Sequence, residues 1–261
     1  FKKMKNDSEL KEIINPKNQI RLFGYRNYFN SFIKLFNENR LPNVILLTGS
    51  KGLGKSTFAF HFINYLLSLH EDKKYSVEKL LINTLNKTYL NICNNVHPNF
   101  YLLENAQNDE IIKIDQVRSI LNFLSKSTYN SNFKIVMIDN AEYLNLSSAN
   151  ALLKTLEEPP KNTFFFIIHN NSFKITDTVR SRCIEFNFFL NQVEKKEVLS
   201  SLIDQYSLNF SHEELSDAFY FLGPGNLLRY MLSINDISPE KFNNKLNCIS
   251  YLIDRYKKKK D

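Results

Sequence analysis

Nine residues near the start of the chain, Gly49, Ser50, Lys51, Gly52, Leu53, Gly54, Lys55, Ser56 and Thr57, have the types and spacing of a phosphate-binding loop. They satisfy G-x-x-x-x-G-K-[ST] between an apolar run, Val44-Ile45-Leu46-Leu47, and an amphipathic segment from Phe58, the strand–loop–helix setting that this pattern requires. Glycines let the backbone fold round a polyphosphate with its N–H groups pointing inward. The following helix adds a favourable dipole, Lys55 reaches the outer phosphates, and the Ser56 hydroxyl is a ligand for Mg²⁺. The whole chain has six glycines, and three of them sit in this loop. A nucleotide site follows; whether it turns the nucleotide over is a separate question.

Asp139 closes the apolar run Phe133–Ile138, 84 residues after Lys55. A carboxylate at the end of a buried strand beside a P-loop can hold Mg²⁺, directly or through water, next to Ser56. Many ring-forming ATPases place a glutamate immediately after this acid to orient the attacking water. Here that position is Asn140. An amide hydrogen-bonds water but cannot accept its proton, so hydrolysis is expected to be impaired. Glu142, two positions on, is expected to point elsewhere.

The elements that must position these residues can be traced by apolar periodicity. Phe29, Phe32, Ile33 and Phe36 recur at helical spacing over 27–37, and Leu41-Pro42-Asn43 ends that helix before the P-loop strand. Phe58, Ala59, Phe62, Ile63, Leu66 and Leu67 form one face of the next helix, whereas 71–95 reads as helix or loop. Short strands are expected over 100–103, 133–139, 163–169 and 184–188. Between them lie a helix N-capped by Asp115, with Val117, Ile120, Leu121 and Leu124 on one face, and another over 147–157 that stops at Pro159-Pro160. Strands separated by helices imply a parallel sheet with the P-loop at its carboxyl edge. Beyond Leu190 only helices are expected, over 194–208, 213–222 and 225–234, which places a domain boundary near 189–191.

Composition sets wider bounds. A chain of 261 residues with 43% hydrophobic and 13% aromatic side chains fits one large domain and a smaller one, each with a core. No apolar run approaches the roughly 18–20 residues that span a bilayer. The N-terminus lacks the apolar core of a signal peptide, and position 1 is Phe rather than an initiator Met. Cys93, Cys183 and Cys248 offer no C-x-x-C pair, arguing against a zinc site or a disulfide framework and for a reducing cytoplasm. The net charge is +7, but four of those charges lie in Lys257–Lys260, offset by Asp261, so the rest carries a mild +4. The wealth of Lys, Asn, Ile, Phe and Tyr fits an AT-rich coding bias, which weakens any functional reading of that basicity.

The stretch Lys134–Glu142, the helix Ala149-Asn150-Ala151-Leu152-Leu153-Lys154-Thr155-Leu156-Glu157-Glu158-Pro159-Pro160 and Ser181-Arg182-Cys183 carry a resemblance. Together with Leu22-Phe23-Gly24 and His97-Pro98-Asn99, they make the chain resemble subunits of bacterial DNA polymerase III clamp loaders, delta-prime above all, over about residues 20–235. That family is a ring of AAA+ ATPase subunits that opens a sliding clamp and places it on primed DNA. The resemblance implies a P-loop AAA+ core, residues 1–189 with 1–20 as an arm, then a small all-helical lid, 190–235. It makes Arg182 an arginine finger reaching the ATP of a neighbouring subunit, with Ser181 and Cys183 packing round it. Asn170, at the end of the strand over 163–169, becomes the sensor-1 residue. The implied partners are the gamma/tau and delta subunits, the sliding clamp and, through the complex, primed DNA.

The sequence also departs from that family. Only Cys93 lies where clamp-loader ATPases often carry a four-cysteine zinc module, so no zinc is expected. The sensor-2 arginine belongs at Gly225 or Asn226, with Arg229 a turn later, which puts phosphate sensing by the lid in doubt. Residues 236–261 are too few for the usual helical collar, so a truncated collar or a basic tail is expected there. The reading is of a delta-prime-like subunit that binds ATP, hydrolyses it weakly or not at all, and lends Arg182 to its neighbour. The alternatives are the ATP-hydrolysing gamma/tau motor and a stand-alone P-loop ATPase or nucleotide kinase.

Overall fold

In the computed structural model, residues 13–104, 111–126, 133–171, 174–208 and 222–234 are described. The expected parallel sheet is present. Strands β1 (Val44–Gly49), β2 (Phe100–Leu103), β3 (Lys134–Ile138), β4 (Thr163–Asn170) and β5 (Ile184–Asn187) form one five-stranded sheet in the order β2-β3-β4-β1-β5. Every pairing is parallel. The three inner strands are apolar on both faces, as Val44–Leu47 and Phe164–Ile168 show, because helices cover both sides.

Alternate residues feed two cores. Val44, Leu46, Val136, Ile138, Phe165 and Ile167 pack with Val117 and Ile120 of α4 (Ile114–Ser125), Ala149, Leu152 and Leu156 of α5 (Leu146–Glu157) and Val179 of α6 (Asp177–Arg180). On the other face α1 (Arg26–Asn37) and α2 (Lys55–Leu67) bring Phe29, Phe32, Phe58 and Phe62 into edge-on ring contact at 5.2–5.9 Å. Phe32 meets Phe186 of β5 at 4.7 Å and Phe62 meets Phe166 of β4 at 6.0 Å. Short α3 (Lys87–Cys93) lies in the stretch that read as helix or loop. Asn86 is its N-cap, its side chain accepting from Tyr89 N–H, and the Glu71 carboxylate adds to the cap by accepting from Lys87 N–H at 2.9 Å and Thr88 N–H at 3.0 Å.

One cap differs from expectation. Asp115 is not the N-cap of α4: the cap is Lys113, whose N–H donates to the Gln116 side chain at 2.8 Å. Asp115 sits inside the first turn, where its carboxylate favours the helix dipole and pairs with Arg118 at 2.8 Å.

Residue contacts divide the described chain into two units, Asn15–Asn191 and a second whose described residues are Ile13, Ile14, 192–208 and 222–234. The described elements of the second are α7 (Gln192–Tyr206) and α8 (Pro224–Ile234), a helical pair with Leu199, Ile203, Tyr206, Leu227, Leu228 and Met231 buried between them. Pro224 opens α8, where its missing N–H does no harm. The expected arm over 1–20 is described only from Ile13, and most of the expected helix 213–222 and the region 236–261 lie outside the described residues. The class of architecture is the one expected: a parallel α/β sheet with the P-loop after β1, followed by helices.

Candidate functional site

The sheet brings Lys55, Ser56, Asp139 and Asn170 to one edge. The carboxyl ends of β1, β4 and β3 lie side by side, with Gly49 in register with Asn170 and Ile138 with Ile167. Gly49 has φ +144°, and a Cβ there would stand 2.6 Å from the Phe188 carbonyl oxygen. Gly54 turns into α2 at φ +85°. No side chain caps the N-terminus of α2 and no acidic residue occupies its first turn. The first-turn N–H groups and the dipole are thus available to an anion, as a phosphate cradle requires. Tyr25, itself at φ +57° and buried, braces the loop by donating its hydroxyl to the Leu53 carbonyl at 2.8 Å.

Lys55 is 3% exposed. Its Nζ donates to Gly49 O at 2.8 Å, Ser50 O at 2.9 Å and Asn170 Oδ1 at 2.9 Å. Burial lowers its pKa to about 8, against the opposing pull of the Glu142 and Asp139 charges. The Ser56 hydroxyl donates to Asp139 Oδ1 at 2.9 Å. Burial raises Asp139 to about 6, resisted by that hydrogen bond and aided by the Glu104 and Glu142 carboxylates. A hydroxyl and one carboxylate form a hard, oxygen-only pair that suits Mg²⁺ shared with phosphates and water. Among the described residues no group of three or more His, Cys, Asp or Glu could hold a metal by itself.

The expectation for Glu142 is overturned. Asn140 adopts a left-handed conformation, φ +58°, and starts a single 3₁₀ turn, Ala141–Tyr143. That turn swings Glu142 back toward β4, where it accepts from the Asn170 side-chain amide at 2.8 Å and from the Asn170 backbone N–H at 3.1 Å. Asn140 Oδ1 accepts from the same side-chain nitrogen at 2.8 Å. Strand periodicity says nothing about residues past a strand's end; the only sequence signal was an Asn at a position where an asparagine readily takes positive φ.

Arg182 follows α6, in the same Asn15–Asn191 unit. Its Nε and Nη2 donate to Glu157 Oε2 at 3.3 and 3.0 Å, and Nη1 donates to the Thr178 carbonyl at 2.9 Å. The side chain is 28% exposed and, with Leu156, Glu157 and Ser181, lines a shallow surface depression of about 390 Å³. Cys183 is half-buried, with its thiol on the Val179 carbonyl at 3.1 Å and its pKa pushed up to about 12 by burial, as suits a packing residue. The neighbouring Arg180 is engaged by Glu185 through both Nε and Nη2, at 2.9 and 2.8 Å.

Residues 24–191, most of the first unit, match the family described as DNA polymerase III, delta subunit. The chain belongs to that family. Among curated relatives of this delta-family chain, the delta-prime subunit of Pseudomonas aeruginosa is 30% identical over 140 residues, 54% of this chain and 41% of that protein. The Escherichia coli delta-prime subunit is 27% identical over 155 residues, 59% and 45% of the two. A gamma subunit from Buchnera aphidicola of Schizaphis graminum is 28% identical over 207 residues, 77% and 53%. The chain thus spans about half the length of the curated relatives it matches. A solved gamma-subunit-related protein from Thermotoga maritima shares 16% identity over 82% of this chain and 74% of its own, with a TM-score of 0.49.

Proposed function

We propose that this chain is a delta-prime-like subunit of the DNA polymerase III clamp loader that holds ATP with Mg²⁺ at the P-loop, turns it over weakly or not at all, and supplies Arg182 to the ATP of the adjoining subunit. Gly49–Thr57 would cradle the phosphates, Lys55 would meet the outer ones, and Ser56 and Asp139 would hold Mg²⁺. When bound, Mg²⁺ would neutralise charge between the phosphates. The observation that carries the reading is the group directly after Asp139: Asn140 is an amide whose Oδ1 accepts from Asn170, so no carboxylate stands at that position to orient a water.

Arg182 is suited to work outside its own subunit. Its pairing with Glu157, whose side chain is 61% exposed, is worth only about 0–1 kcal/mol. Exchanging that carboxylate for a γ-phosphate is therefore a small step, and such fingers contribute about 10³–10⁵ in rate. Gamma/tau and delta subunits, the sliding clamp and primed DNA are the partners of this reading, in the cytoplasm, with 190–235 as the lid. One observation favours a second reading, the gamma/tau motor: the Glu142 carboxylate does stand in the site. Turnover by the isolated chain would select it.

The test is reconstitution of the partner ATPase with the wild-type chain and with Arg182→Ala. A fall of at least 10²-fold in clamp- and DNA-stimulated ATPase, with assembly intact, is expected. Unchanged activity in the assembled complex would overturn the role.

A further inference from the structure

Glu142 grips both ends of Asn170, its backbone N–H through Oε2 and its side-chain amide through Oε1. Asn140 takes the same side-chain nitrogen. With Nδ2 facing two acceptors, Asn170 Oδ1 turns the opposite way and accepts from Lys55. Chemistry fixes this orientation, because a lysine ammonium only donates and an ionised carboxylate only accepts. The other two Lys55 donors go to the Gly49 and Ser50 carbonyls, so an ammonium with three N–H bonds has three protein acceptors.

Two consequences follow for a phosphate entering the loop. Lys55 must release at least one of those acceptors before it can donate to a phosphate oxygen. Asn170 offers a lone pair where an anion needs a donor, so it has to let go of Glu142 and turn. We propose that Glu142 is a positioning residue that latches Lys55 inside the loop through Asn170, and that it thereby sets how tightly the site holds a nucleoside triphosphate. The proposal rests on the nucleotide reading of the P-loop given above.

Equilibrium binding of Mg·ATP to the full chain tests it, with wild type beside Glu142→Asp, Glu142→Gln and Lys55→Ala. Aspartate keeps the charge but is one methylene too short to span both ends of Asn170; glutamine keeps the length but loses the charge. A latch predicts that both Glu142 variants bind about ten-fold more tightly, the worth of roughly one charge-assisted hydrogen bond. The Asn170 side-chain amide resonances of the nucleotide-free protein should also shift in Glu142→Asp. Tighter binding by Glu142→Gln alone would mark simple charge repulsion and overturn the latch, as would wild-type affinity in both variants. If binding is lost in Lys55→Ala but indifferent to Glu142, the nucleotide reading stands and the latch falls. If no variant binds Mg·ATP, both fall. Binding by Glu142→Asp where wild type shows none would support both.

Discussion

At the scale of single residues, Lys55 is the group that must be charged for the P-loop to attract phosphate, and burial works against that charge. A lysine with a folded pKa near 8 against an ordinary 10.5 loses its proton in the folded chain before the unfolded one does. Between about pH 8 and 10.5 the unfolded state therefore binds more protons, so this group makes folding stability rise with pH. Over the same window the ammonium needed for phosphate is disappearing. Nucleotide affinity is thus expected to fall above about pH 8, while wild type gains stability relative to Lys55→Met as pH rises through that window; parallel titrations of binding and unfolding on the two proteins check it. Tyr25 gives a gentler prediction. Tyr25→Phe removes only the hydroxyl that braces Leu53, so Mg·ATP binding should weaken by about 3–10-fold with the fold intact.

At the scale of elements, α2 is held from behind by His61. Gln19 O can only accept, so His61 Nε2–H donates to it and Nδ1 accepts from the Tyr75 hydroxyl, both at 2.9 Å. Burial drops the His61 pKa to about 4, and His97, whose Nδ1 accepts the Asn99 N–H, is also lowered by burial to about 4. Both folded values lie below the ordinary 6.5, so stability present at neutral pH is lost as pH falls from about 6.5 to 4. Asp139, raised from 3.8 to about 6, acts the other way, but it is one group against two. Denaturant midpoints should fall across that range, and His61→Ala should cost about 3 kcal/mol at pH 7 by stranding Tyr75 and Gln19.

The same element shows what was legible in the sequence. Phe58, Phe62 and Leu66 announced part of its buried surface by helical spacing, although Phe60, His61 and Asn64 are buried too, and Val44–Leu47 and Ile135–Ile138 announced their strands as unbroken apolar runs, which burial on both faces produces. The P-loop was legible because its glycines are fixed by backbone geometry. Glu142 was not: its direction depends on the positive φ of Asn140 and on one 3₁₀ turn, which no period records. Capping was misread at Asp115 for a related reason, since the Gln116 side chain satisfied the Lys113 N–H and moved the start of α4 two residues earlier. The N-cap of α3, Asn86, is a local signal, but the Glu71 carboxylate that reinforces it acts across 16 and 17 positions, beyond any local pattern.

At the scale of the molecule, a delta-family P-loop unit is joined to a helical unit, and no helix among the described residues is long and apolar enough to cross a membrane. The first unit contains both the proposed nucleotide cradle and, just after α6, the arginine proposed to serve another subunit. As proposed, the chain holds ATP rather than consuming it. The most direct test is one titration of Mg·ATP into wild type and Lys55→Ala, with the nucleotide recovered and analysed afterwards. Saturable binding by wild type, lost in Lys55→Ala, with ATP returned intact, is the predicted result. Equal binding by the two proteins, or conversion of the bound ATP to ADP over successive turnovers, would contradict it.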